Sequence, residues 1–338
     1  MKRIAFVPFE PIGDSVLLMG ELEEIKRLYA PCETTVFATP SIASLYSNYA
    51  PCDHVVALEQ GPPGIFLLPA SFEERFDAVF NHGYDPWCTE LVRRLKGRNG
   101  RAYGMEEPKR PPAMCAEVFD KWVSLDYWEN VTLKKHRFVP NQYAELIRLV
   151  DPDFEGGPAR LTEANYQCVP PDGPPEGDYA LFLPGASSNC KIYPVRKVEE
   201  VARALRDIGV SAVFAIGPMD TGVGAELAEF GRKVFRDLPF AELAWLIVHA
   251  RLVVGNDSGP MHFAAAFDVP TLQFFSNSGA DNWFCYDVSR HGILMPDCGI
   301  RTGLRCGDCQ RACIGEVPVS AAVREAKRLL SVDDGSLK

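Results

Sequence analysis

Four cysteines, Cys298, Cys306, Cys309 and Cys313, stand in C-x7-C-x2-C-x3-C spacing inside "DCGIRTGLRCGDCQRAC". Four thiolates this close in sequence can close a tetrahedral site around zinc or iron and staple a loop that has little core of its own. With every ligand supplied by protein, such a site is structural rather than catalytic. The plainer alternative is a set of free thiols. The other seven of the eleven cysteines are scattered and suit small core positions.

A second group of residues suits anion and proton chemistry. In "VVGNDSGPMHFAAAFDVPTLQFF" an apolar run ends at Gly255, and Pro260 fits the first turn of a helix, where its missing N–H costs nothing. Ser258 or Gly259 then caps that helix. The free N–H groups of the first turn suit either an ordinary cap or a phosphate, which small residues allow to approach. Asp257 precedes the turn and His262 lies one turn in. Lys191, in "PGASSNCKIYPVRKVEE" with Arg196 nearby, suits a diphosphate or a solvated loop. Asp220, in "IGPMD", suits a ribose hydroxyl or a helix cap, and taken alone the cap is the plainer reading. Asp14 caps a helix beginning near Ser15 or serves as a general base at the carboxyl end of the first strand. The basic stretch "VRRLKGRNGRAYG", with Arg93, Arg94, Lys96, Arg98 and Arg101, suits a phosphorylated acceptor, an anionic membrane surface or a solvated helix end.

These residues fall after apolar runs that read as strands. "RIAFVPF" leads through the turn Glu10-Pro11-Ile12-Gly13 into a helical pattern, "SVLLMGELEEIKRLY". "TTVFAT", "HVVAL" and "DAVFN" follow with helical stretches such as "PWCTELVRRLK" between them, which predicts a parallel sheet. The pattern weakens from Pro108 to Gly177, and the Pro- and Gly-rich "CVPPDGPPEGD" predicts a linker. It restarts at "YALFLPG" and alternates through "SAVFAIG", "RLVVG" and "TLQFF" to a last amphipathic helix in "PVSAAVREAKRLL". The expected architecture is α/β, two doubly wound sheets with an interdomain cleft, residues 1–172 in one domain and 173–338 in the other.

A chain of 338 residues exceeds the usual size of one core, which agrees with two domains. With 47% hydrophobic and 24% charged residues it is no disordered chain, and its net charge of −10 argues against a general nucleic-acid binder. Glu10 and Asp14 interrupt any signal-peptide core, and no apolar run reaches the ~20 residues of a membrane span. Many cysteines without a secretory signal suggest a reducing compartment, so a cytoplasmic protein is expected, at most peripheral to the inner membrane.

Together "IGDSVLLMGEL", "PGASSNCKIYP", "IGPMD" and "VVGNDSGPMHFAAAFDVPTLQFF", with Trp283 shortly after, resemble glycosyltransferase family nine, the ADP-heptose:lipopolysaccharide heptosyltransferase-like enzymes. The resemblance implies the GT-B fold, two Rossmann-like domains, with the acceptor bound by the first and a nucleoside diphosphate sugar by the second. It implies Asp14 as catalytic base, Lys191 on the donor diphosphate, and Asp257 on the donor sugar. Ser258 and Gly259 offer N–H groups to phosphate, His262 supports the site, and Asp220 stands where the family often has a glutamate for the ribose. The activity implied is inverting transfer to a glycan, lipopolysaccharide, lipid-linked or protein hydroxyl. No Asp-x-Asp pair stands where a catalytic divalent ion would be held, so transfer is expected to be metal-independent. A nucleotide-sugar epimerase of the same fold, a non-catalytic nucleotide-sugar binder and a metal-bearing assembly protein are the alternatives.

Overall fold

The structure is a computed structural model that describes residues 1–8, 11–62, 65–83, 85–106, 112–136, 138–276, 280–284, 286–296 and 313–333. The chain divides into two compact units, Met1–Ala159 with Glu163–Gln167, and Arg160–Thr162 with Cys168–Lys338.

In the first unit the strands are β1 (Lys2–Val7), β2 (Cys32–Ala38), β3 (His54–Ala57), a short antiparallel pair β4 (Glu59–Gln60) and β5 (Phe66–Leu67), β6 (Phe76–Asn81), β7 (Lys96–Met105) and β8 (Lys121–Val123). Six of them form a parallel sheet in the order β3-β2-β1-β6-β7-β8. Ile4, Ala5 and Phe6 of β1 and Val79 and Phe80 of β6 are fully buried, as central strands covered on both faces must be.

The second unit repeats the plan with β9 (Tyr179–Leu183), β10 (Ser211–Ile216), β11 (Val234–Arg236), β12 (Leu252–Asn256), β13 (Thr271–Phe274) and β14 (His291–Leu294), ordered β11-β10-β9-β12-β13-β14 and all parallel. The helix Val195–Arg206 and the last helix, Val319–Asp333, bury Val198, Val201, Leu205, Ala322, Ala326 and Leu329 in this unit's core, with Phe182, Phe214 and Leu272 of the sheet. Each sheet runs outward from its first strand in both directions, so the chain reverses its sense between β1 and β6 and between β9 and β12. Crevices at the carboxyl ends of strands flanking such a reversal are where doubly wound sheets hold ligands.

The polar segment expected to be a helix end is largely β7. Its Gly97 and Gly100 pass so close to Phe76 that an added Cβ would lie 2.9 and 2.4 Å from that residue's carbonyl oxygen. The close approach coincides with a register shift between Phe76 and Ala78. Three of the five basic residues are neutralised locally: Arg93 by Glu90 and Glu117, and Lys96 and Arg101 by Asp120. Those pairs favour the solvated reading over an anion-binding stripe. Among the described residues no helix is long and apolar enough to cross a membrane.

Candidate active site

In the first unit the helix Ile12–Leu17 follows β1 in the chain, with Pro11 at its N-cap. Asp14 therefore lies inside the first turn and is not the N-cap of a helix beginning near Ser15, as one sequence reading allowed. A carboxylate there is favoured by the helix dipole. The helical pattern expected to run on to Tyr29 is interrupted at Leu18, and a second helix, Met19–Tyr29, follows. Buried tyrosines hold the broken pair: the Tyr46 hydroxyl donates to the Ser15 carbonyl at 2.9 Å and the Tyr49 hydroxyl to the Met19 carbonyl at 3.1 Å.

Asp14 is partly buried, and its Oδ1 accepts a hydrogen bond from the Tyr143 hydroxyl. Behind Tyr143 lies the ring of His82, at a centroid separation of 5.9 Å and 60° between planes. His82 follows β6, on the other side of the reversal from Asp14, and its Nε2 lies 2.7 Å from Glu21 Oε2. Both side chains are buried, and burial pushes the Glu21 carboxyl above its ordinary value against the opposing pull of His82.

The second unit gathers the predicted donor residues around its own reversal. Lys191 ends a short helical turn, Asn189–Lys191, after β9. Its Nζ donates to Asp257 Oδ2 at 2.6 Å, and Asp257 follows β12 and is only 7% exposed. Asn256, 1% exposed, holds the two loops in register: its Oδ1 accepts from the Tyr193 N–H at 3.0 Å and its Nδ2 donates to the Pro184 carbonyl at 2.6 Å. The helix Gly259–Ala266 starts with Ser258 at its N-cap and Pro260 in its first turn. The Ser258 side chain makes no capping bond; Pro260 has no N–H and the Met261 N–H donates to the Ser258 carbonyl at 3.1 Å, so Gly259 supplies the first-turn N–H that a ligand could take. His262 is buried, and burial drives its pKa down to about 4, with Asp257 opposing and Lys191 adding to the shift. It is therefore neutral at pH 7, with Nδ1 at 2.9 Å from the Tyr286 hydroxyl.

Asp220 stands at the N-cap position of the helix Thr221–Glu229, yet its side chain does not cap it. The carboxylate turns back, and its Oδ2 accepts from the Gly217 N–H at 3.0 Å. It lies against Gly185, where an added Cβ would stand 2.1 Å from Oδ2. The plainer reading of Asp220 as a helix cap is thus replaced by a carboxylate presented on the loop after β10, beside the loop after β9.

Of the cysteine cluster, Cys298, Cys306 and Cys309 lie outside the described residues. Cys313 is buried at the start of the turn Cys313–Glu316, whose Ile314 joins the core of the second unit. Among the described residues no group of three or more metal-binding side chains is present.

Sequence reasoning did not single out Tyr143, His82, Glu21, Tyr286 or Asn256. Asn256 stood inside the quoted motif, next to Asp257. Glu21 likewise stood inside the quoted "IGDSVLLMGEL", while Tyr143, His82 and Tyr286 lie outside the quoted motifs and their partners are far away in the chain.

Residues 99–299 match the family model of Glycosyltransferase family 9 (heptosyltransferase). Lipopolysaccharide heptosyltransferase 1 of Campylobacter coli is 22% identical over 298 residues, covering 81% of this chain and 83% of the relative. The structure of Escherichia coli ADP-heptose lipopolysaccharide heptosyltransferase II superimposes with a TM-score of 0.74 at 16% identity, covering 99% of this chain and 100% of the other. More distant is TibC of Escherichia coli, a dodecameric iron-containing heptosyltransferase solved with ADP-D-beta-D-heptose. Its TM-score is 0.51 at 14% identity, over 98% of this chain and 77% of the other. These structural likenesses show the fold, the GT-B class expected from the sequence.

Proposed function

The chain belongs to glycosyltransferase family 9, and from that premise we propose that it is an inverting heptosyltransferase, moving the sugar of ADP-heptose to a hydroxyl of a lipopolysaccharide-type glycan. The observation that carries the donor reading is the joining of Lys191, Asp257 and His262 at the reversal of the second sheet, beside the start of the helix Gly259–Ala266. A cation, a buried carboxylate and free backbone donors in one crevice suit a sugar diphosphate, and Asp220 on the adjoining loop suits its ribose. The relatives, a lipopolysaccharide heptosyltransferase and an ADP-heptose lipopolysaccharide heptosyltransferase, support the same donor and acceptor classes.

In this reading the first unit serves the acceptor. Asp14 takes the proton of the acceptor hydroxyl as its oxygen attacks the anomeric carbon. The new carbon–oxygen bond forms on the face opposite the leaving group, and the electron pair of the broken bond passes to the diphosphate oxygen. Lys191 and the N–H groups at Ser258 and Gly259 meet that growing charge with fixed, preoriented donors. They fill the role that a divalent ion has in other transferases, so metal-independent catalysis is our expectation. The cysteines Cys298, Cys306, Cys309 and Cys313 suit a structural zinc or iron by their donor chemistry: four thiolates, all from protein. Iron is also the metal in TibC's name. A nucleotide-sugar donor fits a cytoplasmic enzyme.

The test is transfer itself. Incubated with ADP-heptose and a deacylated lipopolysaccharide core, the wild-type chain should yield the glycosylated product with inverted anomeric configuration. Asp14→Asn should still bind ADP but lose about 100-fold or more of its turnover. Near-normal turnover by that variant would remove the base assignment. Binding of ADP-heptose by the wild type without transfer or hydrolysis would favour a non-catalytic binder.

A further inference from the structure

We propose that Tyr143 is a positioning residue for the catalytic base, holding the Asp14 carboxylate in its working rotamer through the bond from its hydroxyl to Oδ1. This rests on the reading of Asp14 as the base. The contact joins residues 129 positions apart in the chain, so the local fold around Asp14 does not require it. Tyr143 ends the helix Val139–Tyr143 and is 9% exposed. Its ring is packed by His82, and His82 is fixed in turn from two sides. Its backbone N–H donates to the Val7 carbonyl at 2.9 Å, at the end of the strand that leads to Asp14, and its Nε2 meets Glu21 Oε2 at 2.7 Å. Glu21 sits in the first turn of the helix that follows Asp14's own.

Four side chains thus form a closed arrangement, Asp14, Tyr143, His82 and Glu21, that returns to the polypeptide a few residues from where it began. Desolvating a carboxyl and an imidazole beneath Tyr143 is costly, and an apolar pair of the same volume would pack there at no greater expense. What a polar pair adds is direction. A hydrogen-bonded imidazole holds one orientation, which fixes the tyrosine ring above it and aims the hydroxyl at Asp14. A base whose carboxylate wanders by about 1 Å loses up to roughly 100-fold in rate while binding is untouched.

The variant Tyr143→Phe removes the hydroxyl and keeps the ring. Steady-state transfer should show kcat lowered about 10- to 100-fold, with the KM for the sugar nucleotide unchanged and a melting temperature near that of the wild type. Introduced into Asp14→Asn, the same change should add nothing, because the group it positions has gone. An unchanged kcat in Tyr143→Phe, with Asp14→Asn inactive, would overturn the positioning role and leave the base reading standing. An equal loss of rate in the Asp14→Asn background would also overturn it, since the tyrosine would then act by another route. Near-normal turnover of Asp14→Asn alone would instead remove the base, and the positioning role with it. Glu21→Gln, which keeps a hydrogen bond to His82, should retain more of kcat than Tyr143→Phe; the reverse order would overturn the arrangement.

Discussion

Burial gives His262 a measurable signature. With its folded pKa at about 4 and an ordinary value of 6.5 in the unfolded chain, the folded state binds fewer protons than the unfolded state between those limits. Its contribution is therefore present above about pH 6.5 and is lost as pH falls toward 4. The shift corresponds to roughly 3 kcal/mol across that window. Urea unfolding at a series of pH values should show this decline, and His262→Gln should flatten most of it while keeping a partner for Tyr286. His291, also pushed down by burial, supplies slope in the same direction. An unaltered pH profile in His262→Gln would show that this imidazole is not the group responsible. Asp257, Ser258, Gly259 and His262 were all legible as candidates because they are neighbours in one motif. Lys191, 66 positions away from Asp257, was legible as a charge but not as that carboxylate's partner.

Among the loops, the seating of Asp220 depends on what the next loop lacks. Gly185→Ala would place a methyl group inside the space of the Asp220 carboxylate, which must swing away and give up the Gly217 N–H. We expect a loss of about 1 kcal/mol in stability from that bond, and a KM for the sugar nucleotide raised about tenfold. In an Asp220→Ala background the alanine at 185 should cost little, and an equal cost there would locate the effect elsewhere. Strands with continuous apolar runs, such as β1, β9 and β12, were legible because central parallel strands are buried on both faces. β7 was not: its charges pair along an exposed flank and its glycines serve a close approach to Phe76, and neither follows a period that distinguishes strand from helix end. β11 and β14, edge strands of three and four residues, were not read as strands either.

Taken whole, the protein has two units, each with its own core and each with its candidate residues at its own sheet reversal. A metal held by Cys298, Cys306, Cys309 and Cys313 would anchor a polar segment to the second unit through Cys313, next to the buried Ile314. Purified protein should contain about one zinc or iron per chain, and Cys306→Ser should lose it and melt at lower temperature. Metal-free protein with an unchanged melting temperature would count against the site. The sequence by itself determined the alternation of strand and helix, the two-domain plan and the family, and singled out the residues of the candidate donor motif. All of these are written in apolar periodicity and in contiguous residues that share one turn. Only the tertiary structure decided which side chains meet: Lys191 with Asp257, Asp220 with Gly185, and Asp14 with Tyr143 over the buried Glu21–His82 pair. The physical reason is that hydrogen bonds act over about 3 Å of space, and the partners that supply them here come from strands and helices that a parallel sheet brings together across long stretches of chain.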